Sequence, residues 1–476
     1  MKGGESSVVW KNYHPGQKSI ILVNMRRVLI GLFLATASCF AWNLSDVSKI
    51  VLDRNPRLSE DSVELDQARN NYDKVKYGAI LPRFELGVAY GPAPGFRYDT
   101  STNPLTHTID SVRKYSWWPL GPYFGTQISL AQPLNVQQLR SGLKAARGGI
   151  AVEQHKLFGK RQGYLKEAAE YYLGYVFART MIDLLEPALA KLNKADSTLQ
   201  AQLDNDEEGA SQTELLQLRC NRLTADKGLE DARTGLERAD KGLRFVMGLR
   251  PEEPLLIEEK ELFQFADLGS WDSVRGTMDP SELRQLRSGI EARSAMVDLQ
   301  KALMGPTIAI FADLSYTKAW VANRNDANND VLITDPINSL SGKIGLGFSW
   351  QLNFWSRSRN YISAQLDLEA LRRKEAYAKP GLEAQLAESF VRYQSLGRKL
   401  VFTERARNAA DSWLKAVALQ VDADSTRERD LIAPYQRFLD LQHEYFDVVY
   451  QRDMVTLEIL QKSGHLTPEA LTLRKP

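Results

Sequence analysis

Apolar residues follow two periods in this sequence, and the change from one to the other marks the elements. In four short stretches every second residue is apolar. Phe84, Leu86, Val88 and Tyr90 alternate with Glu85, Gly87 and Ala89, and Phe124, Thr126, Ile128 and Leu130 with Gly125, Gln127 and Ser129. Ile308, Ile310, Ala312, Leu314 and Tyr316 stand against Thr307, Ala309, Asp313 and Ser315, with Phe311 as the exception. Ile344, Leu346, Phe348, Trp350 and Leu352 stand against Gly345, Gly347, Ser349 and Gln351. Side chains on a strand point alternately to opposite faces, so each stretch predicts a strand with one apolar and one polar or small face. A lipid-facing barrel with a wet interior has this pattern. A soluble sandwich shares it, but with more strands and shorter connections.

Elsewhere the apolar positions step by three and four. The run from Gln137 to Leu203 predicts one helix of about 67 residues, roughly 100 Å at 1.5 Å per residue, with Ala178, Ile182, Leu185, Leu189, Leu192, Leu199 and Leu203 on its seam and a kink or local unwinding at Pro187. The returning helix carries Leu215, Leu218, Arg222, Ala225, Leu229, Ala232, Leu236, Ala239, Leu243 and Val246 in unbroken rhythm. Leu alternating with Ala on a seam predicts close, coiled-coil-like neighbours. A second long helix runs from about Arg357 to Val421 with a bend at Pro380, and returns from about Glu428 to Lys462 on Phe438, Leu441, Tyr445, Val448, Val455 and Ile459. Helices from about Leu44 to Ile80 and Ser281 to Leu303 complete the two shorter return legs.

The order helix, strand, long loop, strand, long helix, turn, returning helix thus occurs twice, with a period of about 220 residues. Leu81-Pro82 and Gly305-Pro306 stop a helix at matching points. The repeats span residues 42–248 and 281–463, an equatorial segment 249–280 with Pro251 and Pro254 lies between them, and 464–476 is a C-terminal tail. Pro92 to Gly121 and Thr317 to Ser341 read as extracellular loops, and Tyr115, Trp117, Trp118 and Trp320 flank the strands where an aromatic girdle would lie. The fold class expected is mainly α with a small transmembrane β part.

Composition narrows this further. The 61 basic and 59 acidic residues leave a net charge of +2, which gives no field for nucleic acid. After an unperiodic stretch 1–24, Met25-Arg26-Arg27 precedes an apolar run from Val28 to Ala37 and small residues to Ala41, so 25–41 reads as a secretory signal peptide with Met25 as an alternative start. Thr36-Ala37-Ser38-Cys39 also resembles a lipoprotein cleavage box, which makes Cys39 a candidate for lipidation. Cleavage at either point leaves Cys220 as the one cysteine of the body, so no intramolecular disulfide is available. No later segment reaches 18 continuous apolar residues and mean hydropathy is −0.35, so any membrane crossing falls to strands.

The arrangement, with Asn55-Pro56 in the first helix, the Leu81-Pro82 boundary, Gln132-Pro133-Leu134 and the Asp430-Leu431 turn, resembles the TolC-like outer-membrane efflux proteins, also called outer membrane factors. The resemblance covers nearly all of the chain beyond the leader and lies in the order and length of elements. It implies a homotrimer whose twelve strands close one barrel in outer-membrane lipid above a long periplasmic α-barrel. It also implies a periplasmic adaptor (membrane fusion) protein and an inner-membrane transporter of RND, ABC or MFS type as partners. In such proteins the hairpin tips form the periplasmic entrance. They correspond here to Gly209, Ser211, Thr213, Glu214 and Leu215, and to Arg427, Asp430 and Leu431, the second lacking the usual glycine. Arg427 with Glu214 or Asp430 is the candidate gate pair. Independently of any family, four strands cannot close a membrane barrel alone.

No catalytic or metal-binding constellation emerges. The five histidines, His14, His107, His155, His443 and His465, form no ligand pair, Gly345-Leu346-Gly347 sits inside a strand, and there is no phosphate loop or nucleophile elbow, so no cofactor is expected. Asp440 and His443 share a helix face as a surface pair. The competing reading is an exported coiled-coil structural or adhesin-like envelope protein without a channel.

Overall fold

The computed structural model describes residues 41–102, 105, 109–205, 211–250, 252–320, 338–422 and 428–472. The signal segment, Cys39, Gly209 and Arg427 lie outside them, as do His14 and His107.

The N-terminal helix predicted as one piece is two, α1 (Leu44–Arg54) and α2 (Pro56–Ile80), because Pro56 cannot continue α1 and instead opens α2, which Asn55 caps through its side chain to the Arg57 amide. Strands β1 (Arg83–Thr102) and β2 (Ile109–Pro133) follow, then α3 (Val136–Asp204), α4 (Gln212–Met247), a short α5 (Trp271–Gly276) and α6 (Ser281–Leu303). The second repeat continues with β3 (Thr307–Ala319), β4 (Ser339–Ser349), α7 (Phe354–Asp422), a 3-10 turn at Glu428–Leu431 and α8 (Ile432–Ser463). Helices α3 and α7 are each 69 residues long and run unbroken through Pro187 and Pro380. Both prolines face solvent, where water can satisfy the carbonyl that the missing N–H leaves behind. No helix among the described residues is long and apolar enough to cross a membrane.

The sheet is one antiparallel layer in the order β1-β2-β3-β4. One expectation fails here. The described residues 92–102 and 109–121 are not a loop: β1 and β2 stay paired from Arg83↔Ala131 out to Thr102↔Ile109, across a register shift between Ala93 and Gly95. The prolines, aspartates and serines that suggested a loop occupy an extended hairpin. The corresponding segment of the second repeat is described only as far as Trp320 and from Asn338 onward.

The helices form two stacked levels. Next to the sheet, α6 packs between α7 and α3, and α2 packs on the other side of α3; farther away, α8 takes the place of α6 and α4 the place of α2. The densest core lies where these levels meet. Leu44, Val47 and Val51 of α1 pack with Tyr172, Leu173 and Val176 of α3, Leu243, Val246 and Met247 of α4, Leu255, Ile257 and Phe265 of the connector, Leu457 of α8, and Leu466 and Leu471 from the chain's end. A parallel bridge between Trp42 and Ile257 and a hydrogen bond of 3.1 Å from the Tyr172 hydroxyl to the Trp42 carbonyl fasten the N-terminal segment to this belt. A second cluster, with Phe390 and Tyr393 of α7 and Val455 and Ile459 of α8, continues it.

The α4 seam reads as its rhythm predicts. Leu215, Leu218, Leu229, Ala232, Ala239, Leu243 and Val246 are buried, and Arg222, Ala225 and Leu236 are half-buried.

Candidate functional site

Two regions of the molecule bear on function, the sheet and the far ends of the helical hairpins. On the sheet the alternation becomes geometry. Phe84, Leu86, Val88, Tyr90, Ile128, Ile308, Ile310, Leu314, Tyr316, Ile344, Leu346 and Phe348 are all exposed on one face. The opposite face carries Glu85, Gln127, Ser129, Asp313, Ser315, Ser341 and Lys343. A single layer that leaves a dozen large apolar side chains in the open needs a non-aqueous neighbour. At the foot of the polar face a cavity of about 1140 Å³ is lined by Arg83, Ala131, Thr307 and Ala309 together with residues of α2, α3 and α6.

Phe311, the one break in the alternation, is explained by its cross-strand partners. It pairs in register with Gly345, and its ring overlies Gly345 and Gly347, so closely that a Cβ at either would stand 3.1 and 3.3 Å from ring atoms. The small residues noticed at 345 and 347 are the bed for that ring. Of the expected girdle, Trp320 is exposed, while the side chains of Tyr115, Trp117 and Trp118 lie outside the described set. A second aromatic group escaped the sequence reading. Where β4 runs into α7, Trp350 donates its indole N–H to the Met304 carbonyl at 3.1 Å and meets Phe354 edge-on, and the Arg359 guanidinium lies over Trp355. The signal was present as Trp350, Phe354 and Trp355 at a strand end.

At the hairpin ends Ser211 caps α4, its hydroxyl accepting the Thr213 amide N–H at 3.3 Å. Glu214 lies in the first turn, where a carboxylate favours the helix dipole. Leu215 is 4% exposed and packs with Leu192, Leu199 and Leu218, against half-buried Leu203 and Ile432. Asp430 is exposed and Leu431 half-buried in the 3-10 turn that opens α8. The two tips are therefore side by side, and Asn221 and Gln436 exchange amide hydrogen bonds of 2.6 and 2.9 Å between α4 and α8.

Sequence reasoning missed one charged cluster close to the tip. Asp196, nearly buried on the α3 seam, accepts from Arg219 Nε at 3.0 Å and from Arg222 at 2.7 Å, and Arg219 also reaches Gln200. The clues were an acid inside the rhythm Leu192, Asp196, Leu199 and an arginine inside that of the return leg.

Compared by sequence, the chain matches no protein-family model and no curated protein. Compared by structure it matches solved proteins along almost its whole length. The outer-membrane channel OprN aligns with a TM-score of 0.67 at 16% identity, covering 89% of this chain and 90% of that one. The Campylobacter jejuni CmeC outer membrane channel aligns at 0.68 and 14% identity, covering 89% and 86%. This is the fold of the TolC-like channels. The open state of the Neisseria gonorrhoeae MtrE outer membrane channel gives 0.67 at 13% identity over 89% and 91%. At such identities the TolC-like likeness concerns architecture, and the long α3 and α7 with a four-stranded sheet at one end are what it rests on.

Proposed function

We propose that the protein is a homotrimeric outer-membrane channel. It would serve as the exit duct of a tripartite efflux or type I secretion assembly, taking substrate from a periplasmic adaptor and an inner-membrane transporter to the exterior. One observation carries this reading: every level of the chain is an open arc with the same two ends. In the sheet, β1 and β4 have unpaired edges. Beside the sheet α2 and α7 are the outer helices, and farther away α4 and α7. Those edges carry exposed apolar side chains, among them Val63, Tyr77 and Ile80 on α2, Leu216 and Leu223 on α4, and Leu366, Tyr377, Phe402 and Leu419 on α7. A second copy that sets its α7 and β4 against the α2, α4 and β1 of the first satisfies all three levels by one rotation, and a ring forms when the rotation closes. Three copies supply twelve strands, within the range of closed membrane barrels.

In this reading the apolar sheet face meets lipid and the polar face bounds the lumen. The paired tips, carrying Ser211, Thr213, Glu214, Asp430 and Leu431, form the periplasmic entrance and the adaptor-docking surface, with Gly209 and Arg427 as their remaining members. Leu215 supports the entrance from within. The chain is a conduit, and the energy for transport comes from its partners.

Envelope fractionation combined with light scattering of the detergent-extracted protein tests the proposal. The expected result is outer-membrane partition and a trimer that conducts in planar bilayers. A monodisperse monomer with intact strand signal, or a coiled-coil assembly without conductance, would replace the channel with an exported structural protein.

A further inference from the structure

The polar face of the sheet holds more than a generic wet wall. Asp313 and Lys343 are register partners on β3 and β4 with side chains 3.9 Å apart, and Gln127 of β2 donates to Asp313 at 3.3 Å. Asp313 stands six residues from the start of β3 at Thr307, Lys343 six from the end of β4 at Ser349, and Gln127 six from the end of β2 at Pro133. Gln127, the register partner of Ser315, lies one row farther out, while Asp313 and Lys343 share one height above the helix junction. At about 3.3 Å per residue and a tilt of about 45° that height is roughly 14 Å, inside an apolar band about 25 Å tall.

What lies above and below sharpens the picture. Toward the helices the Phe311 ring lies over Gly345 and Gly347; toward the exterior the Tyr123 side chain lies over Gly125, whose added Cβ would stand 2.6 Å from the hydroxyl and 3.0 Å from the ring. Both aromatics belong to the polar face and both are laid on glycines, which keeps their rings against the wall. Among the described side chains of this face the charged ones are Asp313 and Lys343, Glu85 in the same register row through Ser129, and Arg83 one row nearer the helices. Lys343 keeps 72% of its side chain exposed, whereas Asp313 keeps 20%.

We propose that Asp313 and Lys343, with Gln127 orienting the carboxylate and with Glu85 and Arg83 beside them on β1, form a charge-balanced lumenal belt that sets the ion selectivity of the barrel, between two levels of aromatic rings. The proposal rests on the channel reading above. Counted with Glu85 and Arg83, the face of a trimer holds six carboxylates and six cationic groups, so their fields on a passing ion largely cancel and the barrel admits solutes of either sign. Removing one sign uncovers the other. A single uncancelled charge some 8 Å away in water-like surroundings is worth about a twofold bias, and three add to it.

The experiment is reversal-potential measurement on the full-length trimer in planar bilayers under a KCl gradient, for the wild type, Asp313→Asn, Lys343→Gln and the double variant. Asp313→Asn should lower the cation-to-anion permeability ratio by about twofold or more, and Lys343→Gln should raise it by a similar factor. The double variant should return close to wild type. Both substitutions are near-isosteric on an exposed ion pair, and unchanged trimer mass confirms assembly. Conducting trimers with the same permeability ratio in all four proteins would overturn the belt and leave the channel reading intact. Absence of conductance both from the wild-type trimer and from the trimer carrying Glu214→Lys with Arg427→Glu would overturn both.

Discussion

Gly248 and Gly464 occupy the same place in the two repeats. Each ends a returning helix in the left-handed conformation, with φ of 64° and 85°. Each also abuts a backbone carbonyl, that of Arg54 or Asp279, one or two residues before a proline that opens or caps the next helix. A Cβ would stand 2.7 Å from the first carbonyl oxygen and 2.5 Å from the second. The duplication seen in the apolar rhythm is therefore repeated in backbone detail.

Gly464→Ala should accordingly cost about 2–4 kcal/mol, the sum of positive-φ strain and a contact that backbone must relieve. Gly248→Ala should behave alike, whereas Gly276→Ala, with open space around it, should be nearly silent. Thermal denaturation of the three variants checks this, and equal midpoints would show that the close approaches relax without cost.

The α4 seam is graded. Leu218 is fully buried and Leu229 is 7% exposed, while Leu236 is half-buried. Leu218→Ala should lose about 2–5 kcal/mol, and Leu229→Asp several kcal/mol by placing an unpaired charge in the seam. Leu236→Asp should cost less, and Glu230→Asp, on the exposed side, almost nothing. Denaturant midpoints in that order are the expected outcome.

Near the tip, Asp196→Ala removes the acceptor shared by Arg219 and Arg222. Because both arginines keep part of their surface in water, the expected loss is about 1–3 kcal/mol rather than the full penalty of an orphaned buried charge. Limited proteolysis should then cut the α3–α4 tip faster, and Asp196→Asn should fall between wild type and alanine.

Asp453 predicts a pH dependence. It is wholly buried on α8, and burial pushes its carboxyl up to about 7, even though the Phe265 amide at 3.1 Å and the Arg452 charge pull the other way. The folded value lies above the unfolded one of about 4, so the folded state favours the protonated acid. Its contribution is complete below about pH 4 and is lost as pH rises through about 7, a change of up to roughly 4 kcal/mol. Asp453→Asn, which keeps an oxygen for the Phe265 amide, should flatten the stability profile between pH 5 and 8, as thermal unfolding across that range would reveal.

For the entrance, Glu214→Lys and Arg427→Glu, singly and together, should raise single-channel conductance or sensitise cells to large antibiotics. An exposed ion pair is worth at most about 1 kcal/mol, so in the proposed trimer one change should open the entrance only in part, while threefold repetition adds the terms. Unchanged conductance with intact trimers would reserve the tips for docking.

The strands and long helices were legible because parity and the 3-4 rhythm are local properties, set by which face of an element is covered. Phe311 was legible as an exception but not as a ring on a glycine bed, since that requires the pairing of residue 311 with 345 across a hairpin. The extended β1–β2 hairpin was hidden by Pro92, which pairs with Pro122, and by polar composition that reads locally as loop. The equatorial belt was least visible: Phe265, Asp453 and Tyr172 come from three distant stretches, and Arg452 reaches Asp267 and Tyr393 through tertiary contacts that no periodicity encodes.

In the channel reading proposed above, the paired length of β1 and β2 matters at the cell surface. From Arg83 to Thr102 the hairpin is about 60 Å long at 3.3 Å per residue, and even strongly tilted it rises well past a band about 25 Å tall. In a trimer, three such ribbons would stand clear of the bilayer as turrets around the mouth. Whatever meets this cell from outside, an antibody or a phage tail, would touch them before it touched the pore.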